Sequence, residues 1–430
     1  MKVKRNTQIA KLLLFLPFFF FLFSCSDEKE KPNVYKVPNS PFEVSKISIL
    51  TEGNEPIVTK KDYINCQIEI ESIYEDWNFS GPGRIRGRGN STWLWYPKKP
   101  YRIKLNENAE ILGLKAEKDW ILLANYRDPT HLMNTFSFLM GEKLNLPYTN
   151  HSRYVEVTLN NEYIGLYQLT EQVEQGANRV AVDKIEGILI SLDADDGPEL
   201  NSAGLDNFWS TIYKMPICVK YPDVEANPGK LDFVKNEFAK LEQSIKTGNY
   251  TEVSKMLNIS TLIDYLLIQE LVYNVEVAAP RSIYMFRDKG GLWNFGPLWD
   301  FDAGFDFDWS TMFTGHNYFK DYKKLVFGAD PVNHIGGYTV PSFFTDLFKN
   351  KRFVSEYKSR WNGIKDKIMS EVWSETSQYA NFSKNAMKKD AIRWPIDKDY
   401  EIEIRRMENW LRNRINYLNA VINNYPPGYL

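Results

Sequence analysis

The chain has 430 residues, with 53 Lys and Arg against 55 Asp and Glu, 43% hydrophobic and 15% aromatic. That is ample material for a large core, and the slightly acidic balance argues against bulk nucleic-acid binding. Its cysteines are Cys25, Cys66 and Cys218, and His131, His151, His316 and His334 show no HExxH or other paired spacing, which excludes a disulfide scaffold and argues against a zinc site; a single Cys66–Cys218 bridge stays open.

At the start, Lys2, Lys4, Arg5 and Lys11 precede the apolar run "LLLFLPFFFFLF" at 12–23, which stops at Ser24-Cys25. A basic start, a short apolar stretch and a small residue form a secretory signal, too short for a stable membrane span. The stretch "LFSC" at 22–25 resembles a bacterial lipobox, which implies that Cys25 is lipidated and begins the mature chain. The polar "SDEKEKPN" that follows has the composition of a flexible tether. The expected organisation is a signal peptide at 1–24, a tether at 25–40 and one compact domain at 41–430. The protein is then exported and anchored to a membrane, at the outer membrane or cell surface. Loss of residues 1–24 removes four cations and no acid, leaving the mature chain more acidic still.

From residue 41 onward the first half has strand periodicity. "RIRGRGNSTW" and "PYRIKLN" alternate, and "RYVEVTLNNEYIGLYQLTEQV" places Val155, Val157 and Leu159 on one face before an Asn160-Asn161 turn. The second half turns helical. "KLDFVKNEFAKLEQSI" spaces Leu231, Val234, Phe238, Leu241 and Ile245 for a helix, and "STLIDYLLIQELVYN" offers Ser260 as a cap. The chain closes on an amphipathic helix whose apolar stripe holds Met407, Trp410, Leu411, Ile415, Leu418 and Ile422. A sheet-rich first half and a helix-rich second half predict an α+β fold with two lobes and a cleft.

The candidate chemistry follows the helix that ends near Tyr273. "NVEVAAPRS" carries Asn274 and Glu276, "IYMFRD" and "LWNFGPLW" form a hairpin, and the second strand runs into Asp300 and Asp302. A hairpin runs out and back, so the polar loop and the acidic strand end meet at one edge. Phosphoryl transfer needs that order: an acid to orient or deprotonate a hydroxyl, and a carboxylate to hold Mg²⁺ against phosphates. It also needs cations. Arg84, Arg86 and Arg88 alternate along one strand, and Arg102 and Lys104 along the next, so both sets can project to one side. There is no Walker motif.

"RIRGRGNSTW", "KKPYRIKL", "WILLANYRDPTHLMN", "YVEVTLNNEYIGLYQLTEQV", "NVEVAAPRSIYMFRD" and "GPLWDFDAGF" together resemble the CotH kinase family in form and order, over about residues 45–310. The resemblance implies an atypical protein-kinase-like, two-lobed fold without a glycine-rich loop, binding ATP and Mg²⁺ and phosphorylating protein Ser or Thr. It implies that Asp300, with Asp302 as a second candidate, holds the metal, and that Glu276 and Asn274 form the catalytic "NxE". Arg86, Arg88, Arg102 and Lys104 or Lys99 would meet the phosphates, and Glu171 of "LTEQV" would pair with one of those lysines.

Two positions depart from the pattern: Glu276 stands where many members carry Asp, and Met133 where Arg is usual before Asn134. A catalytically weak or inactive member is therefore the alternative, with Trp93, Trp95, Trp293 and Trp299 stacking on a glycan or a protein partner. A third reading takes "DFD" as the DxD of a nucleotide-sugar transferase. An EF-hand is excluded by Phe301, Phe305, Phe307 and Thr311. Asp193, Asp195 and Asp196 are expected in an exposed loop, and Asp306 and Asp308 either near the metal or capping the next helix.

Overall fold

A computed structural model describes residues 44–198, 204–327 and 340–429. The signal, the tether, Cys25 and His334 lie outside them. Seven strands form a closed barrel in the order β1-β2-β3-β4-β5-β7-β6: β1 Ser45–Thr51, β2 Ile64–Glu71, β3 Phe79–Gly87, β4 Tyr101–Ile111, β5 Leu114–Leu123, β6 Ser152–Leu159 and β7 Glu162–Glu171. Neighbours run antiparallel except the closing pair, β1 with β6, which is parallel. The alternation seen in the sequence packs the interior: Ile47, Ile49, Ile68, Ile70, Ile85, Ile103, Leu122 and Val155 are all buried there. The β6–β7 hairpin turns at Asn160 and Asn161, both with φ above +50°, as a two-residue turn of left-handed residues requires.

Two helices interrupt the barrel, the short α1 Ser91–Trp95 and the buried α2 Met133–Lys143. A second, antiparallel sheet follows in the order β12-β11-β8-β10-β9, with β8 Ile188–Leu192, β9 Asn207–Trp209, β10 Pro216–Tyr221, β11 Ile283–Arg287 and β12 Trp293–Phe295. Around it lie α3 Gly229–Lys246, α4 Tyr250–Met256, α5 Ile259–Leu271, α6 Ser342–Thr345, α7 Lys351–Lys367, α8 Ser374–Arg393 and α9 Tyr400–Asn423, with one π-helical segment, Ile368–Trp373, joining α7 to α8. The fold is the expected α+β arrangement of a sheet-rich first half and a helix-rich second.

Three details differ from the sequence reading. Asn258, not Ser260, caps α5, accepting a hydrogen bond from the Thr261 amide. The second hairpin strand stops at Phe295, because Pro297 has no amide to continue a ladder. In α9 the buried face includes Arg414, which ion-pairs with Glu270 at 2.9 Å where neither side chain is exposed. Cys66 and Cys218 are both free and buried, one in β2 of the barrel and one in β10 of the second sheet.

Candidate active site

A cleft of about 650 Å³ opens between the barrel wall and the second sheet. The barrel side supplies Lys60, Lys61, Arg86, Arg88 and Arg102; the other side supplies Asp193, Glu276, Asp300 and Asp302, with Lys220, Arg281 and Tyr284.

The acidic wall is built by short hydrogen-bonded links. After α5, the Asn274 side chain accepts from the Glu276 amide at 3.2 Å and caps the single turn Val275–Val277. Its Nδ2 donates to the Asp300 carbonyl at 3.4 Å, so the turn and the acidic strand end are tied together. Asp300 has φ +61°, a left-handed conformation that a non-glycine residue holds only when its surroundings impose it. Those surroundings include α2, whose Asn134 Oδ1 accepts from the Phe301 amide at 3.1 Å, and Tyr318, whose hydroxyl donates to the Asp302 carbonyl at 2.7 Å.

Crowded acids fix the electrostatics. Burial, then the Asp302 carboxylate, pushes Asp300 up to about 7, against the pull of Arg127 and Arg88. Burial, then Asp300, holds Glu276 well above the usual carboxylate range. Asp302 is ion-paired to Arg127, which is 3% exposed and whose guanidinium lies 4.8 Å from the Phe307 ring centroid and 5.2 Å from that of Trp309. Sequence reasoning passed over Arg127. The signal available was "NYRDP", a charged pair inside an otherwise buried segment whose Asp128 is itself pushed up to about 6 by burial while it accepts from Thr130 and Met133.

On the basic wall, strand register sets Arg86 opposite Arg102 and Arg84 opposite Lys104, on one face. Asp119 of β5 takes up Arg102 at 2.7 Å and Lys104 at 3.2 Å. Arg86 donates to the Lys60 carbonyl and lies over Tyr63 at 5.0 Å. Arg88 sits 5.4 Å from the Trp299 ring centroid, facing Asp300.

The remaining expectations divide. Lys99 donates to the Trp93 carbonyl at 2.6 Å, and neither Lys99 nor Lys104 lines the cleft. Glu171 is buried and bonded to His151, Nδ1 at 3.0 Å and the amide at 2.6 Å, because the β6–β7 hairpin folds that segment back against it; its partner is a histidine, not a lysine. Met133 is fully buried in the core, so the position usual for Arg points away from solvent. Asp193 is buried instead of lying in an exposed loop, accepting from the amides of Asp195, Asp196 and Ser282; Asp195 and Asp196 are exposed, and all three line the cleft. Asp308 caps the turn at Trp309–Thr311 and Asp306 pairs with Lys324, so neither belongs to the cleft. The four tryptophans do not share a face: Trp293 is wholly buried, and only Trp299 reaches the cleft.

The sequence profile of the family described as CotH kinase protein matches residues 85–418, from within β3 to near the end of α9. The chain belongs to the CotH kinase family. A comparison with curated proteins finds no match.

The CotH match reaches well beyond the motifs, through the helical half, so α7, α8 and α9 belong to the family domain as much as the cleft does. β1 and β2 precede the matched residues yet complete the barrel. Kinase chemistry in general uses ATP and Mg²⁺. The CotH cleft fits that pair in its donor set: hard carboxylate oxygens at Asp300 and Asp302 face a wall of arginines. No three His, Cys, Asp or Glu among the described residues form a metal cluster.

Proposed function

We propose that this CotH kinase transfers the γ-phosphoryl group of ATP to a Ser or Thr hydroxyl of a protein substrate. The observation that carries this reading is the juxtaposition of Glu276 and Asp300 on one cleft wall with Arg86, Arg88 and Arg102 on the other. Arg88 and Arg102 hold phosphate oxygens, and Asp300 is the metal ligand. A bound Mg²⁺ supplies charge neutralisation across the phosphates. Glu276, tied to Asp300 through Asn274, orients the acceptor hydroxyl and takes its proton as the new P–O bond forms and the bond to the departing ADP oxygen breaks.

We propose further, from the basic and apolar start that ends in "LFSC", that the protein is exported and anchored through lipid on Cys25 at the outer membrane or cell surface. No helix among the described residues is long and apolar enough to cross a membrane, and a lipid on Cys25 supplies the attachment. Labelling of the expressed chain with a radioactive fatty acid, lost in Cys25→Ala, tests this.

For catalysis, Mg²⁺-dependent ADP release and phosphate incorporation are measured on the purified chain. Asp300→Ala is expected to remove both; equal turnover in Asp300→Ala and the parent would falsify the assigned site.

A further inference from the structure

Asp302 stands two residues from Asp300, and both line the cleft. Their surroundings differ. Asp302 bonds to the guanidinium of Arg127, which is 3% exposed and pressed between Phe307 and Trp309. The segment that carries Arg127 is braced by Asp128, which accepts from the Thr130 amide at 2.8 Å and the Met133 amide at 2.9 Å. Asp302 is equally fixed, through the Tyr318 hydroxyl on its carbonyl. Asp300 has no cation bonded to it in this way: its carboxyl lies against that of Asp302, and the cations that act on it are Arg127, already engaged, and Arg88, which lies over Trp299.

A buried carboxylate already neutralised by a fixed arginine gains little by coordinating a dication, and its paired oxygen would have to be released first. From this geometry we infer that Arg127 is a positioning residue that occupies the place a second metal would take, so that the site binds one metal ion, through Asp300, with Asp302 held as its spectator. This rests on the phosphotransfer reading above and specifies it.

The test is equilibrium dialysis of Mn²⁺ into the full chain with a non-hydrolysable ATP analogue. One Mn²⁺ per chain is expected. Asp300→Asn should weaken it by at least ~10-fold, no less than the loss of a group that merely supports a ligand, and Asp302→Asn by less than about threefold. Arg127→Met should allow a second Mn²⁺ to bind, and Arg127→Lys should return the count to one. Because Arg127→Met removes a buried charge, the Asp302→Asn arm, which leaves the arginine in place, decides the matter on its own. Two Mn²⁺ in the parent, or equal losses in Asp300→Asn and Asp302→Asn, overturn the assignment while leaving the kinase reading intact. No Mn²⁺ uptake with the nucleotide analogue overturns the kinase reading itself.

Discussion

Glu276 carries one methylene more than an aspartate would, and burial with the neighbouring Asp300 charge raises its affinity for a proton. A proton acceptor at this place contributes through the transition state, so Glu276→Gln is expected to lower kcat by about a hundredfold to ten-thousandfold with nucleotide affinity little changed. Glu276→Asp should recover part of the rate. Steady-state kinetics and nucleotide titration separate the two effects, and an unchanged kcat in Glu276→Gln would remove the residue from the mechanism. Glu142, on α2, makes a pH prediction away from the cleft. Burial, against the pull of His151, holds it up at about 7, whereas an unfolded glutamate titrates near ~4.3. The folded chain therefore keeps the proton longer, and stability is lost as pH rises from about 4 to about 7. In Glu142→Gln that loss is absent, so the melting temperatures of variant and parent should be close near pH 4 and separate in the variant's favour up to about pH 7. A gap that stays constant between those limits counts against it. At this scale the shared cleft wall of Asp300 and Glu276 was legible in the motifs, because each follows a periodic segment and a hairpin brings the two ends together. Arg127 was not legible, since its partner lies 175 positions away and only folding brings them together. The pairing of Lys104 with Asp119 outside the cleft was not legible either, because strand alternation gives the face of a residue but not the acid that meets it from the next strand.

The elements are joined by a few buried polar links. Lys98, just before β4 and wholly buried, donates to the Leu166 carbonyl and, at 2.8 Å, to Asp390 of α8; the same carboxylate oxygen accepts from the Leu166 amide at 2.7 Å. Gly165 makes this approach possible: it has φ +119°, and a Cβ there would lie 2.4 Å from that oxygen. One carboxylate thus fastens α8 to the barrel wall at β7. Removing one member of a buried pair strands the other, so Asp390→Ala is expected to cost about 3–5 kcal/mol in urea unfolding, while the double change Lys98→Met, Asp390→Leu should recover much of it. If the double variant is as unstable as the single one, the link is not the source of the loss. Helices were the easier elements to read, since α3 and α9 each carry a long stripe. Hairpin pairing within β6–β7 followed from its Asn-Asn turn, but nothing local foretold that β1 would close the barrel parallel to β6 or that α8 would dock on β7.

Over the whole molecule, alternate residues of the same strands serve two cores. Leu122, Val155 and Tyr167 fill the barrel, whereas their neighbours Ile121, Tyr154 and Leu166 pack with the helices. Neither core can open without stripping the other, so calorimetry should show one transition for the domain, moved upward as a unit by Mg²⁺ with a nucleotide analogue. A separate early melt of the barrel would contradict this shared packing. The two lobes were visible in the sequence as a change of periodicity; that they share strands was not, because each strand's second face is read only once its neighbours are known. The closure of β1 on β6 also bears on how the molecule behaves in company. A sealed barrel exposes no unpaired ladder, and the open sheet ends in strands of three residues at β9 and β12, the latter shielded by a bridge from Leu257 to Trp293. Among the described residues a neighbouring copy therefore finds no long backbone edge to zip onto, which guards the protein at high local concentration against joining its neighbours sheet to sheet.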